Sequence, residues 1–213
     1  MAKPKATQYK KSIVIGLLLG DGYLYPGGRL QVEQSIKNEE YLNWLYIQLQ
    51  DLASGPISSV TRIHPKTKKC SYSRRFYTKS LFQDLESIFY MSTTGTGRIK
   101  RKKIVPKNLK QFLDPIVLAI WFMDDGGKSQ STPEGAYINA TSFSQQERVE
   151  IQEAFLRVLN LKINIQKAGG NNQYNSYIPA NSYDTFFQIV YPLMKFVPSM
   201  LYKLSTILQS LNI

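Results

Sequence analysis

The chain is almost without cysteine and histidine: Cys70 and His64 are the only ones among its 213 residues. A disulfide within the chain, a zinc knuckle and a Cys/His metal cluster are therefore excluded. Ser-His-Asp or Cys-His catalysis would have to use His64, which sits in a basic loop far from any apolar motif. Both are set aside, and nucleases that rely on histidine as base or metal ligand are disfavoured for the same reason. No apolar run is long enough to span a bilayer. The opening Met1-Ala2-Lys3-Pro4-Lys5 has neither the apolar core of a signal peptide nor the Arg/Ser-rich amphipathic pattern of a transit peptide. Work in the compartment where the protein is made is the expectation.

Acidic residues are scarce as well, and unevenly so. The net charge is +12. Residues 1–113 hold 20 of the 27 Lys and Arg and 7 of the 15 Asp and Glu, whereas residues 114–213 hold 7 and 8. One part of the chain is thus strongly basic and the other close to neutral. So lopsided a charge points to a polyanionic partner, nucleic acid first; a merely soluble basic surface is the plain alternative.

What is present is a repeat. Ile13-Val14-Ile15-Gly16-Leu17-Leu18-Leu19-Gly20-Asp21-Gly22 has a counterpart in Leu118-Ala119-Ile120-Trp121-Phe122-Met123-Asp124-Asp125-Gly126. Each reads as a short apolar helix running into Asp-Gly, and Asp21 and Asp125 lie about half the chain length apart. Two carboxylates placed alike in two halves predict a duplicated fold with a two-fold symmetric site.

The flanking segments repeat too. The first half opens with a helix from Gln8 to Gly20 capped by Thr7. Leu30, Val32 and Gln34 then alternate with Gln31, Glu33 and Ser35 in a strand. Asn38 caps a helix with Leu42, Leu45, Leu49 and Leu52 inward, ended by Gly55-Pro56. Segments 58–64 and 71–78 form a hairpin around the basic turn Pro65-Lys66-Thr67-Lys68-Lys69, and a helix runs from Ser80 to Phe89. In the second half Asp114-Pro115 supplies an N-cap and a first-turn proline. The strand Tyr137–Phe143 leads to the capping box Ser144-Gln145-Gln146-Glu147 and a helix with Ile151, Phe155 and Val158 inward. Leu161–Lys167 and Tyr174–Pro179 pair across a Gly169-Gly170-Asn171-Asn172 turn, and a helix over Ser182–Val190 closes the half. The fold class is α+β: two pseudo-symmetric αββαββα halves, each with a four-stranded antiparallel sheet, joined through the paired motif helices. Residues 1–97 and 114–213 are the halves, with 98–113 a basic linker.

The two peptides resemble the paired motifs of LAGLIDADG homing endonucleases in their single-chain form. Trp121-Phe122-Met123-Asp124-Asp125-Gly126-Gly127-Lys128, the ending Pro198-Ser199-Met200-Leu201-Tyr202-Lys203-Leu204 and the segment Lys102-Lys103-Ile104-Val105-Pro106 are most like the omega-intron endonuclease subgroup. One apolar-Gly-Asp-Gly string would be an ordinary turn. Two, with the flanking motifs in order over nearly the whole chain, are specific. The resemblance implies a site-specific double-strand DNA endonuclease that cuts across the minor groove, leaves short 3′ overhangs and promotes intron mobility. It implies a monomer acting on a long pseudo-palindromic target, encoded in an organelle or microbial genome, and kept within the mitochondrion or chloroplast or else the cytoplasm.

The chemistry of the residues fits. Gly16 removes a side chain where the motif helices should pack, with Ala119 the nearest small residue opposite, while Ile120-Trp121 in place of Gly-Leu predicts a looser helix interface. A carboxylate at a helix C-terminus is opposed by the dipole, and two together need a cation between them. Oxygen ligands suit Mg²⁺, with Mn²⁺ a substitute. By the resemblance Asp21 and Asp125 are metal ligands, with the Gly20 and Asp124 carbonyls as further donors and the Asp124 side chain either behind the site or solvent-facing. Lys103 and Lys203 match the subgroup's active-site lysines, which would orient water or stabilise the phosphate. The alternatives are phosphate binding for Lys103, set among Arg98, Lys100, Arg101 and Lys102, and a solvated helix lysine for Lys203.

For reading DNA, the first half offers Arg29, Gln31, Glu33, Ser35, Arg62, Lys66, Arg74 and Arg75 on its strands and turn. The second offers Asn139, Thr141, Asn164, Gln166, Gln173 and Asn175, a set suited to adenine edges. The basic half should supply phosphate affinity, and the neutral half base edges and shape. Two rival functions share the fold: an intron maturase binding its own intron RNA, and a non-catalytic DNA-binding regulator. Retention of both aspartates and both lysines favours cleavage over either.

Overall fold

A computed structural model describes residues 6–95, 98–170 and 173–205. Met1–Lys5 and the Asn171-Asn172 pair of the expected turn lie outside these. Thr7, in extended conformation, accepts from the Lys10 N–H and starts helix α1, Gln8–Leu19. Asp114 does the same for Val117 and, with Pro115 in the first turn, starts α4, Pro115–Asp125. Nearly all of α1 from Ser12 onward and of α4 from Val117 to Met123 is buried. Helices apolar all round must lie inside the molecule, and here they pack against each other.

Their contact answers the expectation of a loose interface. A Cβ built on Gly16 would lie 2.6 Å from the Cβ of Ile120, and one built on Gly20 would lie 2.5 Å from the Cβ of Asp124. The partner of Gly16 is Ile120, not Ala119. The expected looseness does not occur, because the large residue of one helix enters the gap left by the glycine of the other. Gly16 and Gly20 are four residues apart and so share one helix face, and each meets the residue holding its own position in the second motif.

After α1 the chain forms β1, Tyr23–Tyr25, and β2, Arg29–Ser35, joined through Gly27 and Gly28, both at positive φ. A 3₁₀ turn over Ile36–Asn38 leads into α2, Glu39–Leu49. Asn38 occupies the N-cap position without capping, its backbone at φ −107°, ψ 27° rather than extended, and its Nδ2 donates to Gln34. The helix stops at Leu49, before Gly55-Pro56. Strands β3, Ser58–Ile63, and β4, Cys70–Ser80, complete a sheet of order β1-β2-β4-β3. The helix expected from Ser80 shrinks to a 3₁₀ turn at Gln83–Leu85 and one turn, α3, Glu86–Phe89. The reason is backbone pairing: Ser80 is still in register with Arg29, and the Leu81 and Phe82 N–H groups donate to the Gly28 carbonyl.

Residues 90–103 depart from the expected linker. Strands β5, Tyr90–Gly95, and β6, Arg98–Lys103, pair as a two-stranded ribbon, so the basic stretch is half ribbon. Arg101 anchors it, donating to the Leu24 carbonyl at 2.9 Å, pairing with Glu86 at 3.1 Å and lying over Tyr90.

The second half repeats the plan with shorter strands. Strands β7, Gly126–Lys128, and β8, Ala136–Asn139, precede α5, Gln145–Leu159, which opens on the Ser144/Glu147 capping box. Pairing in β8 ends at Asn139, earlier than Phe143, because the Asn139 Oδ1 turns the backbone by accepting from Thr141. Val158, expected inward, is exposed near the end of α5. Strands β9, Asn164–Lys167, and β10, Tyr174–Ile178, give the order β7-β8-β10-β9. Helix α6, Ala180–Met194, runs past Val190 and contains Pro192, and a 3₁₀ segment over Pro198–Lys203 follows. Ser12 Oγ donates to Asp114 Oδ2 at 2.5 Å and Glu40 accepts from the Ser199 N–H at 2.8 Å, so polar bonds cross between the halves, and Glu147 ties down the segment between them by accepting from the Val105 N–H at 2.9 Å. Among the described residues no helix is long and apolar enough to cross a membrane.

Candidate active site

Because α1 and α4 are packed with their repeats in step, their C-terminal aspartates come out at one place. Asp21 is exposed there and Asp125 half-buried. Burial first, then the charge of Asp21, pushes the Asp125 carboxyl up to about 6, while Lys103 and Lys203 pull the other way. Asp124 is not solvent-facing. Its carboxyl fills the space beside Gly20, where Oδ2 accepts from the Asp21 N–H at 3.0 Å. Enclosure between the helices and the charge of Asp21 raise it well above the usual carboxylate range. Asp124 therefore supports Asp21 from behind.

Gln34 completes this support. It is 5% exposed, in an inward slot of β2 that Leu30 and Val32 fill with apolar side chains. Its Nε2 donates to Asp21 Oδ2 at 3.3 Å and to Asp124 Oδ1 at 3.2 Å, and its Oε1 accepts from Asn38 at 3.2 Å. Below lies Tyr41, fully buried, whose hydroxyl donates to the Ile120 carbonyl and whose pKa burial and Asp124 push well up. The sequence reading gave neither residue a role here. A polar side chain in the inward position of an alternating strand was the available signal for Gln34.

Lys103 and Lys203 arrive from different elements and do the same thing. Lys103, the last residue of β6, donates from Nζ to the Gly20 carbonyl at 2.6 Å and the Gly22 carbonyl at 2.8 Å. Lys203, at the end of the 3₁₀ segment, donates to the carbonyls of Met123 and, at 2.9 Å, Asp124. Each thus caps the carbonyl end of one motif helix, where a cation is favoured. Burial lowers both lysines' pKa values and the three aspartates raise them. An ammonium has three N–H groups; two are used on carbonyls, and one remains. The Gly20 and Asp124 carbonyls expected as metal donors are the ones these lysines hold. A carbonyl has a second lone pair, so this does not block further coordination.

The remaining predicted residues separate by strand alternation. Gln31, Glu33, Arg62 and Arg75 share the open face of the first sheet with Arg29, which lies over Tyr77 at 4.6 Å. Arg74 does not join them. It is one residue from Arg75, so it points to the other face, where it pairs with Glu39 at the start of α2. Ser35 is spent accepting from Lys37, and Lys66 stands exposed in the β3–β4 turn. In the second sheet Asn139, Asn175, Asn164 and Gln166 lie on one face with Tyr137 and Tyr177. Thr141 is bonded to Asn139, and Gln173 is exposed at the turn before β10.

With this geometry in hand, known proteins can be set beside the chain. A model of the LAGLIDADG DNA endonuclease family matches residues 11–186. The cytochrome b mRNA maturase bI2 of Saccharomyces cerevisiae is 31% identical over 209 residues, covering 92% of this chain but 47% of the yeast protein. The chain thus spans about half the length of that relative. The DNA endonuclease I-ChuI of Chlamydomonas applanata is 27% identical over 212 residues, covering 93% of this chain and 95% of that one. Among solved structures, the homing endonuclease I-WcaI bound to its DNA recognition sequence superposes with a TM-score of 0.77 at 22% identity, covering 94% of this chain and 88% of that one. That last likeness carries the fold, two repeated halves with antiparallel four-stranded sheets.

Proposed function

The chain belongs to the LAGLIDADG DNA endonuclease family, and from that premise we propose that it is a site-specific double-strand DNA endonuclease serving intron mobility. It cuts both strands across the minor groove at one long, pseudo-palindromic target, and it acts as a monomer wherever the intron-bearing genome resides. The observation that carries this reading is the pair of acid-ended helices whose carbonyl ends are each clamped by a lysine. Binding of nucleic acid alone requires neither feature.

The donor set suits a hard divalent cation. Asp21, Asp125 and the carbonyls of Gly20 and Asp124 offer oxygen only, which favours Mg²⁺ or Mn²⁺ over softer metals. Burial and the charge of Asp21 together lift Asp125, and a cation between the carboxylates would offset both. Among the described residues no three or more His, Cys, Asp or Glu are grouped to hold a metal ion, and phosphate oxygens and water are the further donors that bound DNA would bring. When bound, the ion supplies an activated water and neutralises charge on the phosphate and the leaving 3′ oxygen.

The chain's own residues do the rest. Gln34 and Asp124 fix the Asp21 backbone and carboxylate. Lys103 and Lys203, with two N–H groups committed to carbonyls, direct the third at a phosphate oxygen or the attacking water. The open sheet faces hold the duplex, the first through cationic side chains and the second through amides.

The test is cleavage of intron-less host-junction DNA with Mg²⁺, with Asp21→Asn and Asp125→Asn alongside. Metal-dependent double-strand cutting that both variants lose while still binding supports the proposal. A second reading, splicing of the host intron RNA, is favoured by the likeness to the bI2 maturase. Tight DNA binding without cutting by the wild type would transfer the function to that reading or to a DNA-binding regulator, and splicing of the intron RNA would then separate those two.

A further inference from the structure

The open face of the first sheet carries an acid where a surface for a polyanion should avoid one. Glu33 has a side chain only 15% exposed and is gripped from several directions. Arg62 takes it through both terminal nitrogens, Nη1 to Oε1 and Nη2 to Oε2 at 2.9 Å. Ser73 Oγ donates to Oε1 at 2.6 Å, Gln31 Nε2 to Oε2 at 3.3 Å, and Arg75 Nη1 stands 3.8 Å from Oε2. With its lone pairs engaged this way, the carboxylate is poorly placed to accept from a base itself.

Its effect falls on Arg62. That side chain is 53% exposed, yet its guanidinium is held in one plane by Glu33 and by Ser73, to which Nη1 donates at 3.0 Å. Only the terminal fork is occupied. The Nε–Nη2 edge has two N–H groups with no partner among the described residues, and it is the pattern that matches O6 and N7 of guanine. An arginine free in solution must lose rotamer freedom to make such a contact; this one has already lost it.

The second half makes the contrast. Glu33 is in register with Arg75 on the open face, and at the corresponding place in the second sheet Asn139 is in register with Asn175. An ion-paired cluster stands in one half and a pair of amides in the other. We propose that Glu33 is a positioning residue for specificity, fixing Arg62 so that the chain reads a guanine in the half-site under its first sheet. The proposal rests on the site-specific DNA-binding reading above.

The test is selection from a random-sequence duplex library with the full chain in EDTA, so that no strand is cut, comparing wild type with Glu33→Gln and Arg62→Lys. The wild type should enrich sequences with one G·C pair preferred by roughly tenfold or more, the size of a bidentate base contact. Arg62→Lys should erase that preference, and Glu33→Gln should reduce it by about threefold or more. Arg62→Lys, which keeps the charge, should leave the preferences at every other position, and the salt dependence, as in the wild type. A uniform loss of affinity with a shallower salt slope would make Arg62 a phosphate contact and overturn the proposal. So would a wild-type profile with no guanine position sensitive to either variant. Failure of the wild type to enrich any sequence is a different outcome, which removes the site-specific reading itself.

Discussion

At two levels where the motif helices meet, the first half has a glycine and the second half a larger side chain: Gly16 against Ile120, Gly20 against Asp124. The difference continues outward. Gln34 is buried beside Asp21, whereas the equivalent position next to Asn139 is Ala140, and the first sheet has longer inner strands than the second. Symmetry is kept at the helix ends, where Asp21 and Asp125 come out together and Lys103 and Lys203 each hold two carbonyls. It is given up where one helix fits the other and on the open sheet faces, where Glu33 and Arg75 in the first half correspond to Asn139 and Asn175 in the second. A duplicated scaffold can thus close tightly without both copies carrying the small residues, since a knob on one side can use the hole on the other.

The comparison is broken most severely at the carboxylates. Asp21→Asn and Asp125→Asn should each lower double-strand cutting by at least about a hundred- to a thousandfold, the range for removing one main transition-state interaction, with DNA affinity retained in a gel-shift assay. Equal losses from the two sides would show that the ends act as one site, and a nicked product from one variant alone would show that they act separately. Next come the lysines. Lys103→Met and Lys203→Met should each slow cutting by about a hundredfold. Each change strands a pair of carbonyls, and Lys203→Met should also lower the denaturation midpoint more, because Lys203 is the less exposed of the two.

The helix interface gives a smaller effect, read as stability. Ile120→Ala should cost about 2–5 kcal/mol through the cavity it leaves, and Gly16→Ala about 1–3 kcal/mol through overpacking. In the double variant the Ile120 Cγ2 contact at 2.8 Å is removed while the contacts with the residue-120 Cβ and the Val117 carbonyl remain, so part of the overpacking is relieved and urea unfolding should show a cost below the sum. Simple additivity would mean the two positions do not meet. The smallest change is expected at the exposed turn. Neutralising Lys66, Lys68 and Lys69 should reduce the slope of log affinity against log salt by up to roughly 0.9 for each phosphate these lysines neutralise. An unchanged slope would put this turn off the DNA.

Much of the molecule was legible from residue order. Caps at Thr7, Asp114 and Ser144, alternation in Arg29–Ser35 and the paired Asp-Gly endings marked elements that the structure contains. Two of the misreadings come from backbone groups finding partners outside the expected element. The Gly28 carbonyl takes the N–H groups that would have started a helix at Leu81 and Phe82, and residues 90–103 become a ribbon because their strands pair with each other and Arg101 ties them to Leu24. Strand alternation alone was sufficient to part Arg74 from Arg75, and basic composition obscured it.

The amino-acid sequence by itself determined the duplication, the two acid-ended apolar helices, the imbalance of charge and the exclusion of histidine and cysteine chemistry, because each is a property of residue type and local spacing. Only the tertiary structure decided that Ile120 fills the gap at Gly16, that Asp124 and Gln34 brace Asp21, and that Lys103 and Lys203 clamp matching carbonyls. Those contacts join residues from about 10 to more than 100 positions apart. No local pattern records them, and they exist only once the two helices are packed side by side.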